Sequence, residues 1–237
     1  MAGGGVSDEK LGSILLQAKC ASKNIRAQRD LLLQFQLQLQ PDHPAASDAA
    51  ALQEIKSGLV KTFFYAGLEA GARYLTIAAK SGARLALTPS FAVIPDEQLY
   101  DALLAQRLPA RPTTQTEAFS RVEAALFAVK LAQEHHLLRC VECLAEICRP
   151  DNAPAASGVT PASAKVVPSS DPASGEPPQE AGGGSMERAR AYLDRGLTLV
   201  NLAVKHVELA AATMSRFLDP KKVAELSDFA DKHGIIT

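Results

Sequence analysis

The sequence predicts an all-α fold, an antiparallel helical bundle, and three observations predict it. Apolar residues recur at alternating steps of three and four along most of the chain, the spacing that lines one face of a helix. Capping residues and prolines fall between these segments, where helices start and stop. The one run that alternates with strand period has no second strand signal nearby to pair with.

Taken in order, Ser7 is placed to cap a first helix that opens with Asp8 and Glu9, acids where the helix dipole favours them. Ile14, Ala18, Ala21, Ile25, Gln28, Leu32, Phe35 and Leu39 form its inner seam, and Pro41-Asp42-His43-Pro44 stops it. Its end is ambiguous, because Leu33 to Gln40 also alternates apolar and polar; helix is the reading kept. Ser47 and Asp48 are expected to open a second helix running to about Leu87. An irregular link from Thr88 to Pro95 and a short amphipathic helix from Asp96 to about Leu108 follow. Thr114 and Glu117 have the spacing of a capping box, and the helix they start is expected to run until Arg149-Pro150 forbids it to continue.

Between Pro150 and Gly184 the composition turns to Pro, Ala, Ser and Gly, with Pro150, Pro154, Pro161, Pro168, Pro172, Pro177 and Pro178 excluding helix. This reads as a disordered linker. It divides an N-terminal helical bundle, residues 7–149, from a C-terminal helical hairpin, residues 185–237, too small to fold confidently by itself and expected to dock on the bundle or on a partner. Ser185 is expected to cap the first helix of the hairpin; Asp219-Pro220 opens the second, and Gly234 ends it.

Composition narrows the function classes. Twenty-five basic and 26 acidic residues leave a net charge of −1, so no field steers the chain onto nucleic acid. Trp is absent and aromatics are 5 % of residues, which leaves few platforms for stacking bases. Four cysteines are too few for a disulfide framework, and no apolar leader follows Met1, so the expectation is a reducing compartment, cytosolic or nuclear, with a cytoplasmic location the one taken. No uncharged apolar run reaches the roughly 18 to 20 residues of a transmembrane helix. Phosphate-loop, nucleophile-elbow and zinc-protease motifs are absent, no Glu has His three residues later, and no cofactor is implied.

Three places could carry function. In the C-terminal helix Leu193, Leu197, Val200, Val204, Val207, Ala211, Met214 and Leu218 hold the four-three spacing without a miss, a stripe that needs a partner surface. It either completes the protein's own bundle or grips another protein or a second copy. Leu199, Leu202 and Leu209 lie off the stripe, so this helix is expected to be covered on two sides.

The segment from Leu59 to Leu87 places Thr62, Glu69, Arg73, Thr76, Lys80 and Arg84 within about a quarter of the circumference, a narrow wet stripe on an otherwise apolar helix. Gly67 and Gly71 would let another helix come close. It reads as a central bundle helix, or alternatively as an amphipathic helix making peripheral membrane contact, with Lys61, Arg73, Lys80 and Arg84 on anionic headgroups. Against the lipid reading, each glycine in a surface helix costs about 1 kcal/mol relative to Ala.

Finally, His136, Cys140 and Cys143 share a helix face and are zinc-ligand types, a weak metal candidate. They also continue the seam of Phe119, Val122, Leu126, Val129 and Gln133, where Cys acts as a small hydrophobe. The expectation is a non-enzymatic helical interaction or assembly module, an adaptor or complex subunit that binds a protein partner or itself, with lipid-surface binding as the alternative.

Overall fold

A computed structural model describes residues 7–64, 71–76, 111–149 and 184–232, and all regular structure among these residues is helical. Helix α1 (Asp8–Gln38) starts where the Ser7 hydroxyl accepts from the Lys10 amide at 3.4 Å, with Asp8 and Glu9 in its first turn. The ambiguous run ends as helix. Leu32 and Leu39 are fully buried and Phe35 packs on the core, while Leu33 and Leu37 face outward, Leu37 63 % exposed. A strand would have put Leu33, Phe35, Leu37 and Leu39 on one face.

A 3-10 turn, Pro44–Ser47, leads into α2 (Ala49–Phe64). The Asp48 carboxylate accepts from the Ala50 amide at 3.0 Å and so caps it, but Ser47 does not share that role: its hydroxyl donates to the Pro44 carbonyl at 3.0 Å. Residues 71–76 are helical as well. The expected continuation to Leu87, the link and short helix before Leu108, linker residues 150–183 and the stop at Gly234 lie outside the described residues.

Helix α3 (Gln115–Leu131) begins with a complete capping box. The Glu117 amide donates to the Thr114 hydroxyl at 3.2 Å, and the Glu117 carboxylate accepts from the Thr114 amide at 3.1 Å. Amide and hydroxyl donors of Thr113, with those of Thr114, hold the Glu117 carboxyl below its ordinary pKa. The long helix expected up to Arg149 is interrupted: α3 passes through a π turn, Ala132–Leu137, into α4 (Leu138–Ile147). Helix α5 (Ser185–Met214), a 3-10 turn (Ser215–Phe217) and α6 (Pro220–Lys232) complete the described chain. Asp219 caps α6 through the Lys221 amide at 2.9 Å. Ser185 does not cap α5. The cap position is Gly184, and the Ser185 hydroxyl instead donates to Glu146 at 3.2 Å.

Side-chain pairs fix how these helices run. Gln36 on α1 donates to Asp194 on α5 at 2.7 Å, Arg26 pairs with Glu208, and Arg190 donates to the Leu39 carbonyl. Rising positions on α1 thus meet falling ones on α5, an antiparallel pair. The same holds for α3–α4 against α5, from Thr213 on the Pro112 carbonyl at 3.3 Å to Ser185 on Glu146. Phe35 lies over Gly58, and Ile25 over Gly71, so α2 and residues 71–76 descend along α1. Helix α2 also touches α4, and the four sides close around one core in which α5 has the most extensive neighbours, α1 and α3. Helix α6 folds back on the start of α1, with Leu226 over Gly12 and Lys19 on the Ser227 hydroxyl at 3.3 Å.

Core formation is therefore an α5-centred matter. Burying a leucine or valine side chain stabilises by about 1.5–3 kcal/mol, and Leu193, Leu199, Val200 and Val207 are all fully buried.

Candidate functional site

Of the proposed stripe, Leu193, Leu197, Val200, Val204, Val207 and Met214 on α5 and Leu218 just beyond its 3-10 turn are buried and Ala211 is partly so, all against the chain's own helices. A second stripe, Leu199, Ala203, His206, Ala210 and Thr213, is buried too. Its spacing is also four and three, and it turns toward α3, where Ala118, Arg121, Ala125 and Ala128 form a matching inner row that Ala132 of the π turn extends. Helix α5 is covered on two sides. Small residues in both rows let the two backbones come near.

Two ionisable groups interrupt those rows of small residues, and sequence reasoning missed both. Arg121 is 4 % exposed, and its Nη1 donates to His206 Nδ1 at 2.8 Å. A guanidinium has only donors, so His206 Nδ1 must carry the lone pair and the ring is neutral, its proton on Nε2. Burial, reinforced by the Arg121 charge and Lys205, pushes the His206 pKa down to about 4. Arg121 Nε is buried with no acceptor, and on α1 the Gln28 side-chain oxygen is buried with no donor. Burial also lowers the pKa of Arg121 itself. The available signal was positional: a charged or imidazole side chain set within a four-three row of alanines.

One level along, the π turn sets His136 against α5. Its ring lies 6.4 Å from that of Tyr192, and burial, with the charges of Arg195 and His135, depresses its pKa to about 4. Gly196 is what allows the approach. A Cβ there would stand 2.8 Å from Leu137 Cδ2 and 3.6 Å from His136 Cβ.

The metal candidate does not assemble. Among the described residues no group of three or more His, Cys, Asp and Glu side chains is arranged to hold an ion, His136, Cys140 and Cys143 included. The physical reason is the setting: Cys140 is fully buried, and its apolar surroundings push the thiol up to about 12, against the thiolate that zinc requires. Burial raises the Cys143 and Cys20 thiols as well. These cysteines pack as core residues.

Of the lipid-facing set, Lys61 and Arg73 are exposed, whereas Lys80 and Arg84 lie outside the described residues. Thr62, expected on the wet stripe, is 3 % exposed and donates to the Gly58 carbonyl at 2.9 Å. A threonine hydroxyl satisfied by its own helix can be buried, which is why it leaves the polar face. Among the described residues of this segment the apolar side is covered by the chain itself: Leu59 and Leu75 are fully buried, and a Cβ on Gly71 would lie 2.7 Å from Ile25 Cγ1. Among the described residues no helix is long and apolar enough to cross a membrane. Comparison with protein families, characterised proteins and solved structures returns no match to this chain, so the geometry above carries the functional argument.

Proposed function

We propose that this chain is a non-enzymatic helical assembly module, an adaptor or complex subunit in the cytoplasm, whose C-terminal hairpin engages a protein partner or a second copy through the α5 stripe. The observation that carries the reading is the mismatch between tether and gap. The Ser185 hydroxyl and the Glu146 carboxylate are 3.2 Å apart in space yet 39 residues apart in sequence. Helix connections within bundles usually take about 2–8 residues. So long a tether is not needed to close the bundle in cis, and it supplies reach for docking elsewhere at high effective concentration.

The chemistry available supports binding rather than catalysis. Among the described residues the titratable groups with strongly shifted pKa values, His136, His206 and Cys140, are packed between helices as neutral groups. None is placed to exchange protons with a substrate near neutral pH.

The test is the double substitution Val200→Glu with Val207→Glu, read by affinity capture, by light scattering for self-association and by thermal unfolding. Expected are loss of a partner or of the dimer that the native chain retains, together with a lower melting temperature. A double variant that binds and melts like the native chain ends this reading, as does a native chain that remains monomeric and retains no protein.

A further inference from the structure

Polar side chains inside a seam of alanines and leucines are the least expected feature of the fold, and one of the contacts they make has a fixed polarity. Arg121 can only donate, so the 2.8 Å contact to His206 Nδ1 exists only while that nitrogen is bare. A proton there would set two N–H groups head to head, and two positive charges in an environment where both side chains are more than nine-tenths buried. We propose that the Arg121–His206 contact is an acid-sensitive latch: protonation of His206 weakens the seam between α3 and α5 and shifts the C-terminal hairpin toward release from the bundle. The inference concerns the fold itself and does not depend on what the freed hairpin binds.

The charges around His206 all act in the same direction. From α3 the facing group is Arg121, and on α5 itself Lys205 adds to the positive field. From α1, packed on the other side, Arg26 is engaged with Glu208 at the surface, leaving no carboxylate pairing with His206 or Arg121 among the described residues. His136 lies on the same seam with Arg195 and His135 as its charged neighbours, so it resists protonation in the same way.

The sign follows from the depressed values. With His206 at about 4 in the closed form and 6.5 when released, the open form binds more protons between these limits. The latch is fully closed above pH 6.5, weakens as pH falls and weakens no further below about 4. From pH 7 to pH 5 this single group raises the opening equilibrium about twenty-fold.

Two measurements on the full chain test the latch. Long-range proton–nitrogen spectra at pH 7 are expected to show His206 with Nδ1 bare and Nε2 protonated; a protonated Nδ1 overturns the proposal. Hydrogen exchange across residues 193–214, corrected for intrinsic rates, is expected to report increased opening at pH 5. In His206→Asn, whose amide oxygen stands one bond from Cγ as Nδ1 does and can accept from Arg121 without titrating, that increase is expected to shrink about twenty-fold. An increase as steep as that of the native chain overturns the latch. Should the variant fail to fold, the native chain decides: no increase in opening across residues 193–214 between pH 7 and pH 5 overturns the latch.

Discussion

Replacing Gly196 by Ala tests whether the crossing of α5 over the π turn is as tight as described. In an isolated helix the change is favourable, since Gly costs about 1 kcal/mol relative to Ala. Here the new methyl would stand 2.8 Å from Leu137 Cδ2 and 3.2 Å from Leu137 Cγ, inside the roughly 3.5–4.0 Å of an unstrained carbon contact. Leu137 is fully buried, so it has nowhere to swing, and overpacking of this kind typically costs about 1–3 kcal/mol. The expected net effect is a destabilisation of about 1 kcal/mol. Gly12→Ala is the control: its methyl would lie 3.3 Å from the tip of Leu226, a half-buried side chain that can give way, so the helix term wins and stability rises by about 0.5–1 kcal/mol. Urea unfolding followed at 222 nm measures both. The reasoning is refuted if Gly196→Ala proves as stable as the native chain, or if Gly12→Ala is the more damaging of the two.

Two further substitutions bear on other elements. Thr114→Ala removes one half of the capping box and is expected to cost about 1 kcal/mol in the same urea assay; a loss below about 0.3 kcal/mol would mean that the cap contributes little. Leu37→Gln and Leu39→Gln form a pair: the first, at an exposed site, is expected within about 0.5 kcal/mol of the native chain, whereas the second buries an amide and is expected to cost about 3 kcal/mol. Equal effects would contradict the helical phase of α1 at its end.

Among the described residues, what the sequence disclosed was the phase of the helices and most of their starts. The seam from Ile14 to Leu39 could be read because its apolar residues repeat at 3.6, and that repeat outweighed the local alternation from Leu33 to Gln40 once tertiary burial was possible. Ser7, Thr114, Glu117 and Asp219 could be read because capping is local chemistry. Ser185 misled for the same reason: a serine before a helix is a good cap until a carboxylate from another helix, Glu146, offers its hydroxyl a partner. The π turn leaves no local mark that distinguishes residues 132–137 from ordinary helix. Arg121 and His206 were hidden because each alone looks like a polar residue on a solvated face, and only their contact across two helices makes burial possible.

The π turn also explains how α3 and α4 can serve one partner. Through it the inward residues Ala128, Ala132, His136 and Cys140 recur every four positions, a spacing that would drift off the face of an ordinary α-helix, whereas beyond it Leu137, Cys140 and Leu144 return to steps of three and four. A turn closed by hydrogen bonds one residue longer takes up the surplus and resets the angle between the two halves. The segments on either side are thereby free to follow separate phases, one set by the alanine row that meets the second half of α5 and the other by the thiols that meet its first half. A single residue of slack, held in one turn, lets two differently phased helices act as a continuous rod.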